Sequence, residues 1–373
     1  MLALVLTACG DDVTQGATTS APPTPATTAA PTTTATPATD PTDTDAPTTT
    51  AHAASPIDLA AVIGAVRPAD AVLADFTIGT GDGALGLEVP NESAGRGPAN
   101  PVLLSDGTVV VSDGVNERFV ILPASGEASV SPSPLITADC AATGPDDVVY
   151  VASAAMLDPG ISAFAVAAGD AGDAGEAGVV SRVAGPSGGG AAESPSMGGP
   201  GDVPAFVDGA AVAPGTAALP LVDASGAPLA ELPPETVISV ERGEPSVADG
   251  IAYTVTRTTG GTAVGTWEFV LPVIADAPWG PSLLWAKELG ADGLVAVWDT
   301  EVDGAVVFVV ARVDGSGLAD GFTIPSTWRI EGPECTNPAA DDERLVALVP
   351  DTASGSPGDA TTGFRLLEWR WTD

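Results

Sequence analysis

The chain is poor in the side chains that most often carry acid–base and metal chemistry. Its 373 residues include one histidine, three cysteines and two tyrosines. The histidine, His52, lies in a tract of Thr, Pro and Ala, outside the segments that can form a core. The sequence therefore excludes a histidine-dependent catalytic triad and a histidine-based metal site in the folded part.

Positive charge is also scarce. The chain has 12 Lys and Arg residues against 49 Asp and Glu residues, so its formal net charge is −37. Nucleic-acid affinity comes largely from Lys and Arg residues that neutralise phosphates. A charge of this size repels phosphate backbones and anionic lipid heads. The sequence therefore predicts no nucleic-acid partner.

Long apolar runs are missing too, because no segment reaches the roughly 18 apolar residues of a membrane-spanning helix. The first nine residues, MLALVLTAC, form a short apolar run that ends in Leu6-Thr7-Ala8-Cys9. This ending resembles the lipobox of bacterial lipoproteins. The resemblance implies a lipid on Cys9 and an anchor at the extracytoplasmic face of the cell membrane. A secretory signal has basic residues before its apolar run and none stands here, so we expect residues 1–9 to be a signal-peptide remnant.

Residues 10–54 consist mostly of Thr, Pro and Ala, as in APPTPATTAAPTTTATPATD. Such a segment cannot bury enough apolar surface to offset the entropy of ordering it. We therefore expect a disordered stalk that separates the anchor from a folded domain.

Residues 55–373 carry short runs of alternating apolar and small residues, separated by Asp-Gly and Gly-Pro turns. This pattern is typical of an all-β domain. An acidic turn that opens such a run recurs at spacings of 40, 62, 41, 43 and 50 residues. The marker residues are Asp106, Asp146, Asp208, Asp249, Asp292 and Asp342.

These spacings match the blades of a β-propeller, which repeat at about 40–50 residues. The long interval contains a Gly-rich segment at about 169–202, which we interpret as a loop insertion. A fainter copy at Asp70 leaves six or seven blades open. A strand between Ala71 and Val89 could instead pair with the C-terminal strands and close the ring. Two β-sandwich domains are the alternative fold.

One segment, DGTVVVSDGVNERFVILPASGE at residues 106–127, resembles a blade of the NHL-type propellers. The features that carry the resemblance are its Asp-Gly turn, Asn116, Arg118 and the closing Gly126. It covers about 22 residues, and the other repeats lack the Asn and the Arg. The resemblance implies the propeller architecture and no particular activity, because propellers host many functions.

Two glycine motifs are interpreted as structural. Gly81, Gly83 and Gly86 satisfy G-x-G-x-x-G, but no helix or βαβ unit follows as nucleotide binding requires, so we predict a hairpin turn. A G-x-S-x-G match centred on Ser187 lacks the histidine that such a serine nucleophile needs. We interpret that match as part of a Gly-rich loop.

Carboxylates are the abundant acid–base groups, and a pair of them is enough for glycoside hydrolysis. With so many acids in the chain, a close pair is expected by chance, so no catalytic residue is assigned. Asp170, Asp173 and Glu176 could offer oxygen ligands to Ca²⁺, but they lack the spacing of an EF-hand loop. We therefore predict no cofactor and no metal site.

Two cysteines remain once Cys9 is assigned to the lipid. Cys140 lies six residues before Asp146, and Cys335 lies seven before Asp342, so the two occupy matching places in their repeats. Disulfides persist outside the cytoplasm, and matching residues of separate blades approach each other near the propeller axis. We predict a Cys140–Cys335 disulfide there; two unrelated buried thiols are the alternative.

All seven tryptophans fall after residue 266. Trp369 and Trp371 share a face of the last strand and are expected in the core. Ligand contacts in propellers concentrate where blade-opening segments meet the central channel. The binding candidates chosen on that basis are Arg96, Asn100, Trp279, Trp285, Glu334 and Asn337.

The sequence as a whole favours a monomeric, membrane-anchored binding or interaction module with a cell-wall glycan or a surface protein as partner. A carboxylate-dependent glycoside hydrolase of envelope polysaccharides and a stalked structural surface protein are the alternatives.

Overall fold

The fold is all β, and it was obtained as a computed structural model. The described residues are 55–64, 66–88, 97–125, 127–132, 140–153, 160–167, 179–184, 205–207, 210–212, 218–232, 234, 236–246, 249–273, 281–302, 305–326, 337–352 and 360–372. The predicted lipobox and stalk lie outside these residues. Within them, no helix is long and apolar enough to span a bilayer.

The strands are short at the start of the domain and longer towards its end. Three single-turn 3₁₀ helices accompany them, at Leu59–Ala61, Gly114–Asn116 and Pro145–Asp147. The strands are β1 (Ile57–Asp58), β2 (Ala71–Ile78), β3 (Ala84–Leu85), β4 (Pro101–Leu103), β5 (Val109–Asp113), β6 (Arg118–Leu122), β7 (Ser129–Pro132), β8 (Cys140–Thr143), β9 (Val149–Ser153), β10 (Gly160–Ala167), β11 (Val179–Ala184), β12 (Ala205–Val207), β13 (Ala210–Val212), β14 (Leu219–Pro220), β15 (Thr236–Arg242), β16 (Ile251–Thr259), β17 (Thr262–Leu271), β18 (Ser282–Leu289), β19 (Gly293–Val302), β20 (Ala305–Asp314), β21 (Gly317–Pro325), β22 (Ala339–Ala340), β23 (Arg344–Thr352) and β24 (Thr361–Arg370).

In the described part of the chain these strands form six sheets, each built around three or four strands that follow one another in sequence. Blade 1 is β4–β7, blade 2 is β8–β11 and blade 3 is β12–β14. Blade 4 is β15–β17 with β1 added at its edge, and blade 5 is β18–β21. Blade 6 is β22–β24 with β2 and β3 added.

Apolar cores join each blade to the next. Between blades 1 and 2, for example, Phe119 packs with Phe164 at a ring-centroid distance of 5.0 Å. Similar cores join blade 2 to 3, 4 to 5, 5 to 6 and 6 to 1, and β12 of blade 3 contacts β15 of blade 4. Every blade thus has two different neighbours, so the sheets close into a ring.

A closed ring of sheets is a β-propeller, and the predicted propeller fold is confirmed with six blades among the described residues. The two-sandwich alternative is wrong, because a sheet in a sandwich packs face to face with one partner. The segment at Asp70 is not a separate blade. It leads into β2, which pairs antiparallel with β24, so of the two alternatives that the sequence left open, closure by an N-terminal strand is the one observed.

Before it closes the ring, the start of the domain crosses several blades. We call residues 55–64 and 66–88 the N-terminal strap. Its β1 pairs with β17 of blade 4, and in blade 5 the Thr323 Oγ1 donates to the Val62 carbonyl at 2.9 Å. The backbone N–H of Arg67 donates to Thr323 O at 2.7 Å. The strap then forms β2 and β3 in blade 6 and reaches blade 1, where Asp113 accepts the N–H of Gly86.

The acidic markers lie where they were predicted, in turns that open a strand. Asp106, Asp146, Asp292 and Asp342 stand between the first and second strands of blades 1, 2, 5 and 6, and Asp249 precedes β16. Asp208 lies outside the described residues. After Asp249, Gly250 has a φ of +81°, and a Cβ there would lie 2.4 Å from Leu271 O, so only glycine fits this turn.

These turns also connect neighbouring blades. Asp147 of blade 2 accepts hydrogen bonds from the backbone N–H and the hydroxyl of Ser105 in blade 1. Arg344 of blade 6 donates to Gly107 O of blade 1 at 2.6 Å. We call this side of the ring the turn end.

The predicted loop insertion at 169–202 needs a correction. Residues Val179–Ala184 inside it form β11, which pairs with β10 as the fourth strand of blade 2. The alternating pattern of VVSRVA is a strand pattern, but the glycine-rich flanks concealed it. The flanks lie outside the described residues.

Candidate functional site

The candidate site is the end of the ring opposite the turns, where the innermost strands begin. We call this end the mouth. Of the six predicted binding residues, three are described: Asn100 and Asn337 stand just before β4 and β22, and Trp285 lies midway along β18. Arg96, Trp279 and Glu334 lie outside the described residues.

Asn100 uses its whole amide to hold two blades together. Its Oδ1 accepts the N–H of Ala141 at 2.9 Å, and its Nδ2 donates to the carbonyl of Ala141 at 2.8 Å. It is buried, and Ala141 belongs to the innermost strand of blade 2. The residue chosen as a binding candidate therefore has an observed structural role that joins β4 to β8.

Trp285 and Asn337 lie close to the mouth but are not open surface groups. Trp285 is half-buried on β18 and packs against the core between blades 5 and 6. Asn337 is buried, two residues before β22. Their positions leave Trp285 as the candidate with the more accessible side chain.

A buried carboxylate at the mouth was missed by the sequence analysis. Asp299, near the end of β19, accepts the N–H of Ser282 at 2.9 Å and is 7% exposed. Burial raises the pKa of Asp299, and backbone hydrogen bonds oppose that rise only in part. The sequence does contain a signal for this site, because Asp299 is a charged residue within the otherwise apolar run LVAVWDT.

A tyrosine from the neighbouring blade approaches the same region. The hydroxyl of Tyr253 on β16 donates to Pro281 O, next to the residue that binds Asp299. Burial raises the pKa of Tyr253, and the charge and hydrogen bond of Arg242 offset that rise only in part; the charge of Asp299 adds a smaller rise. The mouth therefore holds a carboxyl and a phenol that burial shifts towards their neutral forms.

The only lysine of the chain lies on an innermost strand. Lys287 of β18 donates from Nζ to the carbonyl of Ala340 in β22 at 3.0 Å. Burial lowers the pKa of Lys287, while the charges of Glu288, Asp341 and Asp342 raise it by less. Sequence alone could not place this amine, because its partner lies in the next blade.

Cys140 is the first residue of β8, the innermost strand of blade 2, as predicted. It is fully buried and forms a disulfide. The other cysteines, Cys9 and Cys335, lie outside the described residues. The pairing with Cys335 therefore stays a prediction.

The segment that resembles an NHL blade forms β5, β6 and the turn between them. Arg118 pairs with the buried Asp113 at 3.0 Å and donates to the carbonyls of Thr80, Gly81 and Ala84. This arginine thus holds the G-x-G-x-x-G segment of the strap against blade 1. The predicted hairpin there is wrong, because β2 and β3 pair in parallel.

Other predicted sites are less well defined. The G-x-S-x-G match at Ser187 and the acidic cluster of Asp170, Asp173 and Glu176 lie outside the described residues. Within the described ranges, no group of three or more His, Cys, Asp or Glu side chains could hold a metal ion.

No protein-family model and no curated protein matches the chain. Among solved structures it is similar to a virginiamycin B lyase from Staphylococcus aureus, with 12% identity, coverage of 76% of this chain and 98% of that one, and a TM-score of 0.32. It is also similar to a gluconolactonase from Xanthomonas campestris, with 14% identity, coverage of 82% and 98%, and a TM-score of 0.27. TM-scores this low do not establish a shared fold. The propeller assignment is therefore based on the six sheets and their contacts.

Proposed function

We propose that the chain is a lipid-anchored extracytoplasmic protein whose propeller binds a ligand at the mouth. The observation that carries the binding role is the convergence there of strand starts from several blades with the half-buried ring of Trp285 and the buried carboxylate of Asp299. Polar groups placed among apolar neighbours give orientation and specificity to a ligand. A cell-wall glycan or a surface protein is the proposed partner.

The anchor is supported by the sequence and by one feature of the fold. Leu6-Thr7-Ala8-Cys9 fits a lipobox, and the Thr/Pro/Ala tract after it provides a spacer. The disulfide at Cys140 fits an oxidising compartment, because cytosolic thiols are kept reduced. These features favour the extracytoplasmic face of the membrane.

Lipidation is tested by growth with an alkyne fatty acid and by detergent phase partitioning of the expressed chain. We expect the natural chain to carry the label and enter the detergent phase, and the Cys9→Ser variant to do neither. Labelling of the variant, or none of the natural chain, would contradict the anchor. Both chains are expressed behind the same added lipoprotein leader, so that they differ only at Cys9.

Ligand binding is tested by co-sedimentation of the full-length Cys9→Ser chain with purified cell-wall sacculi. We expect saturable binding that Trp285→Ala weakens by about tenfold, since aromatic anchors contribute about 1–3 kcal/mol at interfaces. Leu318→Ala, an exposed position on the outer strand β21, is the matched control and should not change binding. Non-saturable sedimentation, or equal effects of the two variants, would contradict a glycan site at the mouth.

One observation favours the hydrolase alternative. A carboxyl group with a raised pKa, such as Asp299, is what a general acid for glycoside cleavage needs. Incubation of the chain with isolated envelope polysaccharides would release reducing ends, and Asp299→Asn would abolish the release. No release from the natural chain would leave the binding role as the better proposal.

A further inference from the structure

Lys287 is the only lysine of the chain. The binding proposal assigns it no role. It lies on the innermost strand of blade 5, and its Nζ bonds to Ala340 on the innermost strand of blade 6. The first strands of blades surround the central channel of a propeller. The amine therefore lies at the channel wall, where two blades meet.

The surroundings of this amine stabilise its ammonium form less well than water does. The backbone carbonyl of Ala340 is an uncharged partner, and among the described residues no carboxylate forms an ion pair with Lys287. Burial makes the ammonium form less stable, so the pKa falls. The residue as a whole stays partly exposed.

The carboxylates of Glu288, Asp341 and Asp342 act on the same amine from a greater distance. Glu288 is the next residue on β18, and the other two lie in the turn after Ala340. Their negative charges stabilise the ammonium form and so oppose part of the effect of burial. They also disfavour an anionic ligand, so an uncharged one is expected.

We propose that Lys287 is a reactive amine that forms an imine with a small, uncharged aldehyde or ketone entering the channel. The Nζ lone pair attacks the carbonyl carbon, a C–N bond forms, and a proton passes from nitrogen to the carbonyl oxygen. The resulting hydroxyl is protonated and leaves as water while nitrogen loses its last proton. The net reaction converts one amine and one carbonyl compound into an imine and water. A desolvated lysine is the usual nucleophile for this chemistry.

The test treats the full-length Cys9→Ser chain with glycolaldehyde and cyanoborohydride at pH 7 and locates the reduced adduct by peptide mass spectrometry. Because the chain has one lysine, every side-chain amine adduct must lie at Lys287. The Arg182→Lys variant adds a comparison amine at an exposed position of β11 in the same fold. Lys287→Arg should remove the adduct at position 287.

We expect Lys287 to react at least about fivefold faster than the amine introduced by Arg182→Lys, because a lower pKa leaves more amine neutral at pH 7. The rates should become equal when both amines are exposed in guanidinium chloride. A rate at Lys287 equal to or below that of the comparison amine in the folded chain would overturn the proposal, as would the absence of an adduct. Neither outcome depends on glycan binding or on the lipid.

Discussion

Blade 6 and blade 3 differ in how the chain assembles them and in the contacts that hold them in the ring. Blade 6 is built from both ends of the domain, and its eight-residue β2 pairs with its ten-residue β24. Blade 3 comes from one continuous segment, and its strands have three, three and two residues. A ring stays closed only if the blade that contains both ends is held by non-covalent contacts.

Blade 6 has strong non-covalent contacts at the place where the ring closes. Trp369 is fully buried in the core between blades 5 and 6, and its Nε1 donates to Arg67 O of the strap at 3.1 Å. Arg67 pairs with Asp70 at 3.0 Å and with Asp320 of blade 5 at 3.5 Å. Large side chains and ion pairs therefore concentrate where strap and final strand meet.

The join between blades 2 and 3 is simpler. Its described core consists of aliphatic side chains and Tyr150. The hydroxyl of Tyr150 accepts the N–H of Val222 at 2.9 Å. Among the described residues, the closing blade thus has large buried side chains and ion pairs at its join, whereas the join of the continuous blade 3 has mainly aliphatic contacts.

The largest expected effect comes from Trp369→Ala. Removal of a fully buried tryptophan costs about 4 kcal/mol of unfolding free energy, and the change also frees the strap carbonyl that accepted its N–H. Urea unfolding followed by circular dichroism measures the loss. Trp371→Ala is the control, because that side chain is only partly buried against the same core. Equal losses of unfolding free energy from both variants would contradict a dominant contribution of Trp369 to the core between blades 5 and 6.

An intermediate effect is expected from Glu368→Gln. Glu368 is 2% exposed and pairs with Arg344 and Arg370. Loss of one partner of such a buried pair costs about 2–3 kcal/mol at neutral pH. Glu343→Gln, at an exposed position of the same blade, should cost little. A loss of the same size from both variants would show that the ion pairs of Glu368 do not stabilise the fold more than an exposed carboxylate does.

The pH dependence of that loss gives a second check. Burial alone would raise the pKa of Glu368, but the bonds and charges of Arg370 and Arg344 hold that pKa below its usual range. A carboxyl with a lowered folded pKa stabilises the fold fully above its unfolded pKa of about 4.3. The difference between the natural chain and Glu368→Gln should therefore shrink as pH falls through the folded pKa. A difference that stayed constant or grew in acid would be the contrary result.

The smallest effect is expected for Tyr150→Phe at the join between blades 2 and 3. Loss of its hydrogen bonds with Val222 costs about 1 kcal/mol, because the ring itself still fills the core. The same urea titration measures it. A loss as large as that of Trp369→Ala would mean that blade 3 depends on single contacts as strongly as blade 6.

Local pattern and spacing predicted much of this fold. The recurring acidic turns placed Asp106, Asp146, Asp249, Asp292 and Asp342 at the openings of strands, because a turn and an alternating strand are encoded by adjacent residues. The same spacing placed Cys140 on an innermost strand. The glycine-rich flanks of β11 hid a strand, since turn-forming residues outweighed the short alternating run.

The mouth was only partly predictable. Asn100 lies at the start of an innermost strand, as predicted, but its amide is occupied by Ala141, 41 residues further along the chain. Asp299 and Lys287 were not among the predicted site residues, because the shifted pKa of each comes from burial in the folded ring. Spacing within one repeat carries no information on which side chain of the next repeat lies opposite.

By itself, the sequence determined the class of fold, the period of the blades and the excess of negative charge. These follow from local periodicity and composition. The tertiary structure alone decided the number of blades, the path of the strap and the shifted pKa values at Asp299 and Lys287. The physical reason is that these properties arise between residues far apart in sequence, as with Arg67 and Asp320, which are 253 positions apart.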